Sequence, residues 1–311
     1  MATLRIATRG SRLALIQAKY IAGRVQRELG ADTELVVIKT TGDRLTGSLA
    51  NQGGKGLFIK EIEEALLAEQ ADLAVHSAKD LPAKLESTLS LVAFPERADP
   101  RDALVAKQAE MTLAQLPQGS RVATGSARRS ALLLAERPDL QIVPMRGNVP
   151  TRLSKLTEAG SEIDALILAC AGLDRLDLSE HIAERISADV LLPAVCQGTL
   201  ALEARSGSVV GADLSVLDEP AASLAVRAER AFLSELEGDC SVPLAAYAEP
   251  VADGQLRLRG LVATLDGASV VAAEATGAAA DAEALGRQVA NEVANSGGAE
   301  ILERLRAAAS D

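Results

Sequence analysis

The chain has 311 residues, 48% hydrophobic and 24% charged, with 32 Lys+Arg against 43 Asp+Glu and a formal net charge of −11. That length suits about two domains with room for a small third, and a core large enough to need neither disulfide nor metal. The acidic balance argues against a general nucleic-acid or anionic-membrane binder, and 2% aromatic residues without Trp argue against a base-stacking platform. Only His76 and His181 are present, which excludes a multi-His metal centre. Cys170, Cys196 and Cys240 are odd in number and lack CxxC spacing, so they read as free thiols of a reducing compartment. The first residues enter a strand-like pattern containing Arg5 and Arg9, and the longest apolar runs are too short to span a bilayer. The expectation is a cytoplasmic protein with no nucleic-acid or membrane partner.

Residues 4–8 form a short apolar strand ending at Arg9, Gly10 and Ser11. Ser11 caps a helix over 12–29, in which Leu15, Ala18, Ile21, Ala22 and Val25 share one face, and Gly30 stops it. A strand at 34–39 follows. The stretch 41–56 holds five glycines and little apolar content, too long for a plain connection, and reads as a functional or disordered loop. Next come a helix at 57–69, a strand at 72–76, a loop at 77–82 and a strand at 89–94. This order predicts a mostly parallel sheet covered by helices. Residues 95–101, rich in Pro and charge, cross into a second unit with the same grammar. Its strands are expected at 103–106, 121–124, 141–145 and 164–169, and its helices at 126–136 and 149–159. Asn148 and Pro150 suit the start of the second helix. From Asp218 a helix rich in Ala and Glu runs to Glu237 and leads into Gly238-Asp239-Cys240-Ser241-Val242-Pro243. Strands at 244–248, 255–264 and 269–275, with turn signals at Asp253-Gly254 and Asp266-Gly267, predict an antiparallel α+β domain closed by two Ala-rich helices.

Arginines gather at strand-to-helix junctions of this acidic chain. Arg9, Arg128, Arg129, Arg146 and Arg152 fall at or just after the carboxyl end of a predicted strand, and Arg175 follows close behind one. Ligands of open α/β sheets bind at those ends, helix N-termini attract anions there, and the guanidinium fork matches carboxylate or phosphate. The pattern predicts a cleft for a polyanion; the plainer alternative for each arginine is a surface ion pair. Gln52-Gly53-Gly54-Lys55-Gly56 lacks the spacing of a phosphate loop and reads as a lid with one cation or a plain flexible loop. Ser77, Lys79 and Asp80 place a hydroxyl, an ammonium and a carboxylate within four residues. They form either a site that steadies a cationic intermediate or relays protons, or a loop salt bridge. His76 before them reads as a core residue. Cys240 sits in a tight loop where a thiol could attack an electrophile, whereas Cys170 and Cys196 read as structural.

Six segments stand in order: Arg5 to Leu15 (RIATRGSRLAL), Gly53 to Phe58 (GGKGLF), Ala74 to Pro82 (AVHSAKDLP), Arg146 to Leu153 (RGNVPTRL), Leu192 to Gly198 (LPAVCQG) and Leu236 to Pro243 (LEGDCSVP). Over essentially its whole length the chain resembles the porphobilinogen deaminase, or hydroxymethylbilane synthase, family. The resemblance implies two α/β domains like those of periplasmic binding proteins, residues 1–96 with 193–216 and residues 97–192. A smaller α+β domain with a three-stranded antiparallel sheet is implied over 217–311. It also implies a dipyrromethane cofactor held through a thioether on Cys240. Four porphobilinogen units are condensed onto that cofactor, each releasing ammonia, and linear hydroxymethylbilane is then hydrolysed off. Asp80 takes the catalytic role, hydrogen-bonding pyrrole N–H groups and stabilising the charge that develops as the azafulvene forms. Ser77, Lys79, Asp80, Thr124, Ser126, Arg128, Arg129, Arg146 and Gly147 are implied as cofactor-binding. Arg9, Ser11, Lys55, Arg146, Arg152, Arg175 and Gln197 are implied as substrate-binding, with no metal. Porphobilinogen carries an acetate and a propionate, so the arginines make sense as a neutralising channel. A monomer is expected.

Two positions depart from the family pattern. Cys196 stands where Gly is common and is expected to add a second thiol near the cleft. Gly125 replaces a common Ser, which removes one hydroxyl from the cofactor site. The competing expectation is a non-catalytic two-domain anion-binding or sensor protein, against which the filled Asp80 and Cys240 positions weigh.

Overall fold

Apolar runs alternating with capped helices set the architecture, and a computed structural model describes it over residues 3–41, 59–238 and 242–310. β1 (Leu4–Arg9) buries Leu4, Ile6, Ala7 and Thr8, the near-continuous pattern of a strand covered on both faces. Ser11 then caps α1 (Arg12–Leu29) by accepting the Ala14 amide, and Gly30 ends the helix in the left-handed region at φ 64°. β2 (Thr33–Ile38), α2 (Lys60–Leu67), β3 (Leu73–Ser77) and β4 (Leu89–Ala93) follow. Residues 42–58, which include Lys55 and most of the Gly-rich stretch, lie outside the described residues.

The second run holds β5 (Asp102–Ala106), β6 (Arg121–Thr124), α3 (Ala127–Glu136) and β7 (Gln141–Pro144). It continues with α4 (Val149–Thr157), β8 (Ala165–Ala169), α5 (Cys170–Arg175) and β9 (Glu184–Arg185). β10 (Leu200–Arg205), α6 (Val209–Leu214) and α7 (Pro220–Glu235) come next. The chain closes with β11 (Leu244–Val251), β12 (Gln255–Ala263), β13 (Val270–Ala278), α8 (Ala282–Val293) and α9 (Ala299–Ser310).

Three sheets result, in the orders β2-β1-β3-β10-β4, β7-β6-β8-β5-β9 and β11-β12-β13. The two five-stranded sheets share one plan. β1 runs parallel to β2 and β3, and β6 runs parallel to β7 and β8. In each sheet one strand opposes its neighbours: β10 against β3 and β4, β5 against β8 and β9. The expected mostly parallel sheets and the antiparallel three-stranded sheet are therefore present. β10 is a strand that sequence reading passes over, because Leu-Ala-Leu-Glu-Ala-Arg is made of helix formers. Burial of Leu200, Ala201, Leu202 and Ala204 overrides that preference.

The chain forms two compact units, Met1–Ala98 with Thr199–Val226 and Asp99–Gly198 with Arg227–Asp311. In the first unit, Ile6, Ile21, Leu73 and Leu202 are fully buried in one cluster between sheet and α1, each contributing about 1.5–3 kcal/mol from removal of apolar surface. In the second, Ala245 and Leu261 of the antiparallel sheet share a cluster with Leu104, Leu132 and Leu133. The β12–β13 turn sits directly on the α3 backbone. A Cβ on Gly267 would lie 2.3 Å from the Ala131 carbonyl oxygen, and its φ is +70°, so only glycine fits both demands. This contact braces the helix that carries Arg128 and Arg129. No described helix is long and apolar enough to cross a membrane.

Candidate active site

In the first unit, the chain leaves β1, forms β2 on one side and returns to β3 on the other, so the carboxyl ends of β1 and β3 flank a topological switch point. A pocket opens there. Arg9, Ser11, Gln17, His76, Ser77 and Asp80 supply its polar lining, and Leu13, Ile59, Ile62 and Val75 much of the apolar wall. Ser11 Oγ accepts the Ala14 amide at 3.3 Å, and Gln17 Nε2 donates to Ser77 Oγ at 3.1 Å. After Ser77 the chain makes a single 3₁₀ turn, Ala78–Asp80. Ala78 is buried and donates to the Thr199 carbonyl at 3.0 Å, which anchors the turn and leaves Lys79 and Asp80 exposed. Asp80 makes no hydrogen bond or ion pair among the described residues, so its carboxylate stays available. It is not held in a loop salt bridge. His76 is buried with Nε2 3.0 Å from Glu203 Oε2, in keeping with the core reading of this histidine.

In the second unit, the corresponding strand β6 ends at Thr124, and Ser126 caps α3 by accepting the Arg129 amide at 3.4 Å. Arg128 and Arg129, on the first turn, are 4% and 6% exposed. Both turn inward onto Asp102, a residue that sequence reading missed. Arg128 Nη1 donates to Asp102 Oδ2 at 2.7 Å, and Arg129 Nη2 and Nε donate to Oδ1 at 2.7 and 3.0 Å. Gln197 Nε2 reaches the same Oδ1 at 2.9 Å and the Pro100 carbonyl at 2.7 Å. Burial by itself would raise the Asp102 carboxyl, but the two guanidinium charges outweigh it and hold the group well below the usual carboxylate range. The available signal was an Asp opening a strand of otherwise apolar residues, since such a carboxylate requires partners.

Arg146 and Gly147 are exposed after β7, where Asn148 caps α4 through the Thr151 amide at 2.9 Å. Arg152 Nε donates to the Gly147 carbonyl at 2.7 Å. Burial lowers the Arg152 guanidinium from its ordinary value, and the Arg129 and Arg146 charges lower it further. Of the four arginines 128, 129, 146 and 152, only Arg128 and Arg129 are bonded to a carboxylate among the described residues, and both to Asp102. Positive charge is in excess there. Arg175 ends α5, and its Nη2 donates to the Gly198 carbonyl at 2.7 Å.

Of the two departures, Gly125 acquires a physical reason. A Cβ at Gly125 would lie 2.6 Å from the Met145 carbonyl oxygen, so the ends of β6 and β7 leave no room for a side chain. Cys196 is only 1% exposed, its N–H donating to Glu229 Oε2 at 2.5 Å. This corrects the expectation of an additional accessible thiol: the Cys196 sulfur is shut inside the second unit. Cys170 is fully buried, which pushes its thiol up to about 12. Cys240 lies outside the described residues, between Gly238 and Val242.

Residues 4–210 match the family model described as porphobilinogen deaminase, dipyromethane cofactor binding domain, and residues 223–295 match porphobilinogen deaminase, C-terminal domain. Curated relatives named porphobilinogen deaminase include that of Syntrophotalea carbinolica, 49% identical over 97% of this chain and 96% of the relative. The protein of Pelobacter propionicus is 45% identical over 97% of both chains. Among solved structures, the chain is similar to an ABC-transporter periplasmic substrate-binding protein from Coxiella burnetii (14% identity, 71% of this chain, 94% of that chain, TM-score 0.42). It is also similar to the periplasmic aliphatic sulphonate binding protein of Escherichia coli (17% identity, 76% of this chain, 71% of that chain, TM-score 0.41). With both family models in order along the sequence and relatives matched nearly end to end, the chain belongs to the porphobilinogen deaminase family.

Proposed function

We propose that the chain is a hydroxymethylbilane synthase, a transferase of tetrapyrrole (porphyrin and haem) biosynthesis. It condenses four porphobilinogen molecules head to tail on a covalent dipyrromethane primer, releases one ammonia per molecule, and hydrolyses off linear hydroxymethylbilane. The observation that carries this reading is the unengaged Asp80 carboxylate in the β1–β3 pocket of a chain matched to the family over nearly its full length.

The residues fit a carboxylate-bearing group: Arg128 Nε is buried with no acceptor, and Arg152 is crowded by other cations. Dipyrromethane, when bound, supplies the pyrrole carbon to which the first incoming unit is joined. Cys240 is the proposed anchor. Thr124, Ser126, Arg128, Arg146 and Gly147 are proposed to bind its carboxylates, Arg129 to support that binding from behind through Asp102, and Ser77, Lys79 and Asp80 to contact the pyrroles. Arg9, Ser11, Lys55, Arg146, Arg152, Arg175 and Gln197 are proposed to serve the substrate carboxylates, the arginines directly through a fork that gives bidentate, charge-assisted bonds and Gln197 from behind, through its bond to Asp102.

Asp80 accepts hydrogen bonds from pyrrole N–H and places a full negative charge beside the ring. As the substrate's aminomethyl C–N bond breaks and ammonia leaves, positive charge spreads over that ring, and the carboxylate stabilises it more than it stabilises the ground state. The same carboxylate would be the available acceptor for the proton to be removed once a new C–C bond has been made. Three domains, over 1–96 with 193–216, 97–192 and 217–311, complete the reading. A reducing cytoplasmic setting agrees with the free thiols of Cys170 and Cys196, and the chain is proposed to act as a monomer.

The test is to supply porphobilinogen to the purified protein. One ammonia per porphobilinogen consumed, and an intact mass raised by two pyrrole units, are expected. Binding without ammonia release by a chain of unmodified mass would make it an anion-binding sensor instead.

A further inference from the structure

The two adjacent arginines of α3 are not equivalent. Arg129 uses Nε and Nη2 on Asp102 Oδ1, and its Nη1 donates to the Ile167 carbonyl at 3.1 Å. The Nε–Nη2 edge, the side of a guanidinium that grips a carboxylate bidentately, is therefore occupied inside the protein. Arg128 is held the other way round. Its Nη1 is pinned between Asp102 Oδ2 at 2.7 Å and the Leu192 carbonyl at 2.8 Å, while Nε is buried without a partner. Nη2 makes no hydrogen bond among the described residues. The edge that Arg129 has used is the edge that Arg128 retains.

We propose that Asp102 is the positioning residue of Arg128, holding its guanidinium by Nη1 so that the Nε–Nη2 edge is set for a carboxylate of the bound pyrroles. Arg129 and Gln197 in turn fix Asp102, through three hydrogen bonds to Oδ1. A long side chain left free would lose rotamer freedom each time it gripped an anion; one clamped at a single nitrogen has already lost it. The inference rests on the reading of Arg128 as a carboxylate ligand.

Asp102→Asn separates the two oxygens. An amide oxygen at the δ1 position still accepts from Arg129 and Gln197, while the amide nitrogen at δ2 presents a donor to Arg128 Nη1. Asp102→Asn, Arg128→Lys and the double variant would be purified as folded protein, and the fraction of chains carrying two pyrrole units read by intact mass. Each single variant is expected to lower that fraction by about fivefold or more, and the double by no more than about twofold further, because both changes act on one interaction. Full loading of Asp102→Asn, or losses that multiply in the double variant, would overturn the proposal. Loss in Asp102→Asn with full loading of Arg128→Lys would instead remove Arg128 as a ligand, and the proposal with it. A purely structural Asp102 would reduce the yield of folded protein and leave the loading of that folded protein unchanged. Should Asp102→Asn not fold, Asp102→Glu keeps the charge but shifts it by one methylene. Reduced loading at an unchanged thermal midpoint supports the positioning role, and wild-type loading refutes it.

Discussion

The two five-stranded sheets have the same strand plan and treat their carboxylates in opposite ways. Beyond the carboxyl end of β3, the central strand of the first sheet, Asp80 is exposed on a short turn, with no partner among the described residues. In the second, Asp102 lies on the opposing strand with no exposed surface and accepts four side-chain hydrogen bonds from Arg128, Arg129 and Gln197. The difference follows from where each residue falls. A carboxylate beyond the end of a strand keeps its hydration and remains free to meet a developing charge, whereas one inside a buried strand must be neutralised by its neighbours. One plan therefore provides a reactive group in one place and a rigid cation mount in the other.

The largest expected effect lies beyond both sheets. Cys240→Ser should abolish covalent pyrrole attachment, seen as an intact mass equal to the bare chain, while Cys170→Ser and Cys196→Ser retain it because both of those thiols are buried. Attachment persisting in Cys240→Ser would show that a thiol packed in the second unit can react, and would remove Cys240 as the anchor.

Next comes Asp80→Asn, which keeps shape and removes charge. Single-turnover ammonia release by the folded, pyrrole-bearing variant should slow by ~10²–10³, with the thermal midpoint unchanged because Asp80 is exposed and unpaired. A rate within a few-fold of wild type would take Asp80 out of the chemistry.

Asp102→Ala should show the reverse balance, losing about 3–5 kcal/mol in denaturant unfolding because two buried guanidiniums lose their counter-ion. The pH dependence has a definite sign. A carboxyl whose folded value is depressed contributes its stability above the unfolded value, and loses it as pH falls through the folded one. The gap between wild type and Asp102→Ala should therefore stay level from neutral pH down to the usual carboxylate range and close only in stronger acid. A gap that closes near pH 6 would mean Asp102 is not held ionised by the arginines.

The smallest effect concerns Cys196, a non-glycine residue at φ +59°. The left-handed conformation costs a residue with a Cβ about 1–2 kcal/mol, and glycine recovers most of that against its larger unfolded-state entropy. Cys196 is also buried, so glycine empties its side-chain volume and that loss offsets the relief. Cys196→Gly should therefore move stability by no more than about 1 kcal/mol, read as a thermal midpoint close to wild type with pyrrole loading intact.

Local rules carried much of this molecule. The cap at Ser11, the stop at Gly30, the Asn148–Pro150 helix start and the alternation of apolar strands are readable because each depends on residues a few positions apart. The same holds for the prominence of Asp80, which stands at the end of an apolar run beside Ser77 and Lys79. The family resemblance added the chemistry, since nothing in composition or spacing distinguishes pyrrole carboxylates from other anions.

Tertiary structure decided the rest. β10 became a strand because its burial between β3 and β4 outweighed the helical preference of its residues. Gly125 proved to be a matter of space, set by the Met145 carbonyl some twenty positions away. Arg128 and Arg129 look identical in sequence, and their different hydrogen-bonding edges appear only when Asp102, Ile167 and Leu192 close around them. By itself, the sequence determined which groups are present and which local turns expose them. Which of those groups are neutralised, and by which atoms, was decided by folding, because the partners of a buried charge come from strands far apart in the chain and low dielectric makes their geometry count.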